Sequence, residues 1–261
     1  MNILITNDDG VTSRGLFAAK QALEQFGTVQ VIAPDANRSG SARSITIHRP
    51  LHVAEVELRD GTIGFATDGT PVDCVRFADL GLLGERPDLI VSGINYGFNL
   101  GDDVTYSGTV AAAFEGLLLG IPAIAISQGA PTASGSDFRH HESYDFAPAA
   151  AFLTELVGQV VEHGMPERTV LNVNVPADPC GVAVGRLGRR IYRDRLELEN
   201  DTEGRRRYRI YGDDPSYHDE PGTDFAAIAE NRIALTPVHL DLTSAPALER
   251  IAGWSLGWDA T

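Results

Sequence analysis

The chain opens MNILITNDDG, Met1 to Gly10. Ile3, Leu4 and Ile5 form a short apolar run of strand character, and the run leaves through Asn7, Asp8, Asp9 and Gly10. Two like charges therefore stand side by side where the first strand stops. Adjacent side chains on a regular strand point to opposite faces. Both carboxylates converge only if the chain turns away there, and Gly10 permits that turn. A solvated Asp-Gly turn and a cation site both account for the pair. The position matters because ligands in open α/β sheets bind outside the carboxyl ends of the strands.

Downstream, strand-like and helix-like stretches alternate. Asn2–Thr6 is followed by a helical spacing over Ser13–Phe26, with Leu16, Phe17, Ala19 and Leu23 apolar and Ser13 or Thr12 as its cap. Strands are predicted at Thr28–Ala33, Leu89–Ser92, Ala123–Ser127, Thr169–Val175 and Arg232–Thr236. Helices are predicted at Thr109–Gly120 and Phe146–His163. The alternation predicts an α/β fold, a mostly parallel sheet with helices on both faces. Ser44–Phe65 has no helical period and reads as a β excursion. Gly185–Asp224, rich in Arg, Asp, Glu, Tyr and Gly, reads as an exposed arm or hairpin. No repeat or low-complexity linker divides the chain, so residues 1–261 are read as a single domain.

At 43% hydrophobic residues the chain can bury a proper core, and no apolar run reaches the length needed to span a bilayer. Residues 1–6 read as a strand and not as a secretory leader. Cys74 and Cys180 match no zinc or redox spacing. A cytoplasmic location is the expectation. The net charge of −15 and a pI near 4.8 argue against nucleic-acid polymers and anionic membranes as partners. Lys20 is the only lysine. A GC-rich genome and a salt-adapted interior both explain that composition.

Two further strand ends are polar. The second runs into APDANRSGSAR, Ala33 to Arg43, which offers Ser39. The strand at Leu89 runs into SGINYGFNLGDDVTYSGT, Ser92 to Thr109, with Asn95 and Asn99. A loop of that length is usually functional or disordered. Ser107, Gly108 and Thr109 open the next helix, where free N–H groups and the dipole favour an anion, although capping by Ser107 or Thr109 explains the same residues. Together Asp8, Asp9, Ser39 and Asn95 are hard oxygen donors without His or Cys, a set that suits Mg²⁺, Mn²⁺ or Ca²⁺ more than a structural zinc. None of the seven histidines lies in these loops. Arg139-His140-His141 lacks the Arg-His-Gly of the histidine phosphatases, and the adjacent carboxylates do not fit an Asp-x-Asp aspartyl-phosphate scheme.

ITNDDG, APDANRSGSARSIT, TDGTPVDCV, VSGINYGFNLGDDVTYSGTVAAAFEG, LNVNVP and ALTPVHLDLT follow one another in register from Met1 to about Thr243. In this the sequence resembles the SurE family, the metal-dependent survival-protein nucleotidases. The resemblance implies a Rossmann-like core and one divalent cation per subunit on Asp8, Asp9, Ser39 and Asn95. It implies a phosphate site at Ser107, Gly108 and Thr109, and hydrolysis of nucleoside monophosphates. Asp8, Asp9 and Asn95 are then the catalytic residues, with Asn7 and Asn99 as supporting or phosphate-contact candidates. It further implies a homodimer or homotetramer built by exchanged C-terminal arms. The charged arm lacks the tryptophan expected of that hairpin, which bears on base recognition and assembly and not on the metal site. A broad acid phosphatase or exopolyphosphatase, and a nucleotide-binding regulator without turnover, are the competing readings.

Overall fold

Seven residues separate the end of the first strand, β1 (Asn2–Thr6), from the first helix, α1 (Arg14–Leu23), and that interval carries the paired carboxylates. The computed structural model describes residues 1–130, 144–202, 204–210, 216–254 and 257. After α1, which Ser13 caps by accepting the Leu16 N–H, come β2 (Thr28–Pro34), β3 (Val53–Glu57) and β4 (Ile63–Thr67). Then follow α2 (Pro71–Asp79), β5 (Leu89–Tyr96), α3 (Gly108–Leu118), β6 (Ala123–Gln128), α4 (Ala147–His163) and β7 (Val170–Val175). The remainder holds β8 (Val182–Val184), β9 (Arg190–Ile191), β10 (Glu197–Thr202), β11 (Arg205–Arg209) and β12 (Ser216–Tyr217). It closes with α5 (Asp224–Ala229), β13 (Ile233–Val238) and α6 (Ala245–Ala252).

Among the described residues nine strands form one sheet, in the order β3-β4-β2-β1-β5-β6-β7-β13-β8. From β4 to β7 every neighbouring pair is parallel, while β3 and β13 run antiparallel to β4 and β7. The chain winds outward from β1 through β2, then returns to place β5 on the other side of β1. The C-terminal ends of β1 and β5 thus flank a topological switch point, where such sheets open a crevice. The period of two along the strands feeds two cores. Ile3, Ile5, Val91 and Ile124 face Leu16 and Leu23 of α1 and Leu153 and Val157 of α4. Leu4, Ile90 and Ala123 face Val75 of α2 and Val110 and Ala113 of α3. Each fully buried Leu or Ile contributes about 1.5–3 kcal/mol.

Several predicted boundaries shift. The first helix stops at Leu23, and Glu24–Phe26 tighten into a 3-10 turn. The strand from Leu89 continues to Tyr96, past a register shift against β6 between Ser92 and Asn95. Gly93 makes that passage possible, since its φ is +134° and a Cβ there would lie 2.2 Å from the Ile126 carbonyl oxygen. The long polar loop after it contains a 3-10 turn at Gly101–Thr105. The Ser44–Phe65 excursion contributes β3 and β4, which extend the main sheet. Helix α2 was not anticipated. Its signal was local: Thr70 and Asp73 form a capping box, with Pro71 in the first turn.

Within Gly185–Asp224, β10 and β11 form an exposed hairpin, while both flanks pack on the body. Buried Asp224 accepts the N–H groups of Gly101 (2.7 Å), Gly188 (2.8 Å) and Phe225 (2.9 Å). Arg190 pairs with Asp103 and lies over the Phe225 ring, 5.0 Å from its centroid. The flanks of the hairpin are therefore fastened to the 3-10 turn that leads into α3. On the opposite edge, Lys20 of α1 is buried between Glu24 and Asp60 (2.6 Å), tying α1 to the turn between β3 and β4. Among the described residues no helix is long and apolar enough to cross a membrane.

Candidate active site

Asn7 builds the turn that ends β1. Its side-chain oxygen accepts the Gly10 N–H (3.1 Å), and its amide donates to the Gly10 carbonyl (3.1 Å) and to Ser13 Oγ (2.7 Å). Gly10 sits at φ +104°, where a side chain would strain the backbone. The turn leaves Asp8 buried and Asp9 partly buried on the crevice between β1 and β5. Asp8 Oδ1 accepts the Thr109 hydroxyl at 2.6 Å. Gly108 sits directly against Asp8, for a Cβ there would lie 2.8 Å from Asp8 Cβ and 2.9 Å from its Oδ2. Only glycine lets the start of α3 descend so far. Asp9 accepts the Tyr96 N–H (3.3 Å) and the Asn37 amide (3.4 Å).

The loop after β2 is stitched to the same place. The Arg38 N–H donates to the Asp8 carbonyl (2.6 Å), and the Ala42 N–H donates to the Tyr106 carbonyl (3.1 Å). Arg43 reaches the buried Glu115 of α3 at 3.4 Å, and Arg76 of α2 reaches it at 2.7 Å. Between those anchors Ser39 is exposed, and its N–H donates to Asn37 Oδ1 (2.9 Å). Asn95, buried at the end of β5, donates to the carbonyls of Tyr96 (3.3 Å) and Gly97 (3.0 Å). Ser107 Oγ caps α3 by accepting the Val110 N–H (3.1 Å). The cap uses the Ser107 oxygen and not its O–H, and the N–H groups of Gly108 and Thr109 face Asp8. Asn99 is held further in, with its amide on Ser127 Oγ at 2.9 Å.

Charge is the unusual feature. Burial pushes the Asp8 carboxyl up, against hydrogen bonds from the Thr109 hydroxyl and from the Gly108 and Thr109 N–H groups. Asp9 is pushed up to about 8, first by burial and then by the charge of Asp8. Among the described residues no Lys, Arg or His forms an ion pair with either carboxylate. No cluster of three His, Cys, Asp or Glu side chains occurs among them. Any cation here would rest on two carboxylates and neutral oxygens. Such a donor set suits a hard divalent ion, whose charge the two carboxylates just balance. Asp8, Asp9, Asn95, Gly108 and Thr109 come together around the crevice, with Ser39 on the loop above it. His140 and His141 lie outside the described residues.

Sequence reasoning missed Asn37, Tyr96, Ser127, Asn172 and Asn174. The last two had a signal, since LNVNVP places two amides on one face of an apolar strand.

The family model described as survival protein SurE matches residues 3–194. A 5'-nucleotidase SurE of Rubrobacter xylanophilus is 50% identical over 98% of both chains. One of Geobacter sulfurreducens is 46% identical over 98% of this chain and 94% of its own. The crystal structure of the SurE protein from Aquifex aeolicus superposes with a TM-score of 0.77 at 38% identity, covering 96% of this chain and 98% of that one.

Proposed function

The chain belongs to the SurE family, and from that premise we propose that it is a phosphomonoesterase that hydrolyses nucleoside monophosphates with the help of one divalent cation. The observation that carries this reading is the Asp8–Asp9 pair, Asp8 buried and Asp9 partly so, without a cationic partner among the described residues and packed under the N-terminus of α3. Asp8 and Asp9 would hold the cation as anionic ligands, with Ser39 and Asn95 as neutral ones, and Mg²⁺ or Mn²⁺ fits those donors. When bound, such an ion polarises a phosphoryl oxygen and acidifies water.

The remaining work falls to the chain itself. The Gly108 and Thr109 N–H groups and the Thr109 hydroxyl hold Asp8 here; where the Asp8 oxygens turn to the cation, these groups and the Ser107 O–H would be the donors for the charge that grows on the phosphoryl oxygens. Because Ser39 and Asn95 add no further negative charge, a phosphate dianion still meets a site that is not anionic. The exposed β10–β11 hairpin supports a homodimer or homotetramer, and the composition supports a cytoplasmic location.

A hydrolysis panel tests the reading. Nucleoside monophosphates, p-nitrophenyl phosphate and polyphosphate are assayed with Mg²⁺, with Mn²⁺ and after exhaustive EDTA dialysis. The expected result is phosphate release from nucleoside monophosphates that EDTA abolishes and metal restores. Full activity after dialysis would sink the metal assignment. Nucleotide binding without phosphate release would favour a regulator.

A further inference from the structure

β7 is a central strand with two amides in it. Val173 and Val175 face the core beneath α1 and α4, while Asn172 and Asn174 turn to the other face and are 0% exposed. Two side chains of leucine size would suit such a position better, since a buried amide costs about 1–3 kcal/mol unless it is hydrogen-bonded. Both amides find partners, and both turn to one residue. Asn174 Oδ1 accepts the Asn99 N–H at 2.8 Å, and its amide donates to the Asn99 carbonyl at 3.1 Å. Asn172 donates to the same carbonyl at 2.9 Å. Ser127, the register partner of Asn174 on β6, accepts the Asn99 side-chain amide at 2.9 Å. The bend is also held by the Gly97 N–H on the Gln128 carbonyl, at 2.9 Å.

Asn99 stands four residues after Asn95, in the loop that leads to α3. A loop residue there would ordinarily choose its own backbone path. Here its N–H and C=O are gripped as if by a further strand, by side chains that contact neither carboxylate of the crevice. We infer that Asn172 and Asn174 are positioning residues for the phosphate site, acting by clamping the backbone of Asn99 and so fixing where its side chain faces. The inference rests on the phosphomonoesterase reading and deepens it: β7 sets the loop that shapes the substrate end of the crevice.

The test compares the parent, Asn174→Ala, Asn99→Ala and the double variant. Turnover of a nucleoside monophosphate with Mn²⁺, inhibition by inorganic phosphate, Mn²⁺ affinity by calorimetry and Tm are measured on each. In Asn174→Ala, kcat/KM should fall about ten- to a hundredfold, and phosphate should inhibit correspondingly less. Mn²⁺ affinity should stay near the parent's, because Asp8, Asp9, Ser39 and Asn95 keep their contacts. In the Asn99→Ala background the same substitution should cost no more than about twofold, as for residues that act through one another. A full loss repeated in that background would overturn the clamp. So would parental kcat/KM and phosphate inhibition with only Tm lowered. Should Asn174→Ala fail to fold, Asn172→Ala removes one of the two donors to the same carbonyl and carries the same comparison. A parent that hydrolyses no phosphate ester overturns the phosphomonoesterase reading, whereas an active parent with an unchanged clamp variant overturns the clamp alone.

Discussion

Asp9 holds a proton in the folded protein that a free carboxylate would release, and burial pushes Asp8 in the same direction. Burial raises both, and Asp9 titrates at about 8. The unfolded chain loses its proton near the ordinary carboxylate value, 3.8. Between those pH values the native state binds more protons than the unfolded state, so the pair lowers stability as pH rises. Metal-free protein should therefore melt progressively lower from about pH 4 to pH 8. Added Mn²⁺ should raise Tm more at pH 8 than at pH 5, because protons compete with the ion. Calorimetry at both pH values checks this, and an Mn²⁺ shift that is larger at pH 5 would contradict it. Asp9→Asn should flatten the pH dependence while removing most turnover. Gly108 is the other decisive residue. Gly108→Val would drive a side chain into Asp8, 2.8 Å from where its Cβ would start. It should abolish turnover and weaken inhibition by inorganic phosphate, whereas Thr109→Ala, which deletes one donor, should cost about ten- to a thousandfold. Strong phosphate inhibition surviving in Gly108→Val would remove the phosphate from the start of α3.

At the level of elements, the flanks of the β10–β11 hairpin are fastened where the chain approaches α3. Asp224 gathers three N–H groups from Gly101, Gly188 and Phe225. Asp224→Ala leaves those buried donors without an acceptor and should destabilise by at least about 1–3 kcal/mol, the cost of one such loss. Denaturant unfolding measures it, and a change under half a kilocalorie would show that the donors find water instead. This joint also shows what the sequence could convey. The strands β1, β2, β6 and β7 were legible because burial on both faces makes them short apolar runs. β5 was cut short at Ser92 because Gly93 and Asn95 are poor strand residues, and only tertiary pairing with β6 carries the chain on to Tyr96. α2 was hidden by its brevity. The carboxylate pair was legible as an oddity at a strand end. The partners of Asp9 were not, since Tyr96 contributes a backbone N–H, which no side-chain pattern announces. The same holds for Asn99, whose restraint comes from strands 28 and 75 residues downstream.

Over the whole molecule the charge is −15. Like-charge repulsion destabilises a compact state and is screened by salt. Tm should rise steeply between dilute buffer and molar KCl if the composition is an adaptation to salt. A flat Tm measured by differential scanning fluorimetry would assign it to genome composition instead. The same composition leaves a single lysine, and the fold encloses it between Glu24 and Asp60 with 5% of its side chain exposed. Among the side chains, amine-directed reagents thus meet one shielded target. Acylation of Lys20 by an N-hydroxysuccinimide ester becomes a clock for the opening of α1 from the β3–β4 turn, readable as one added mass on the peptide that carries it.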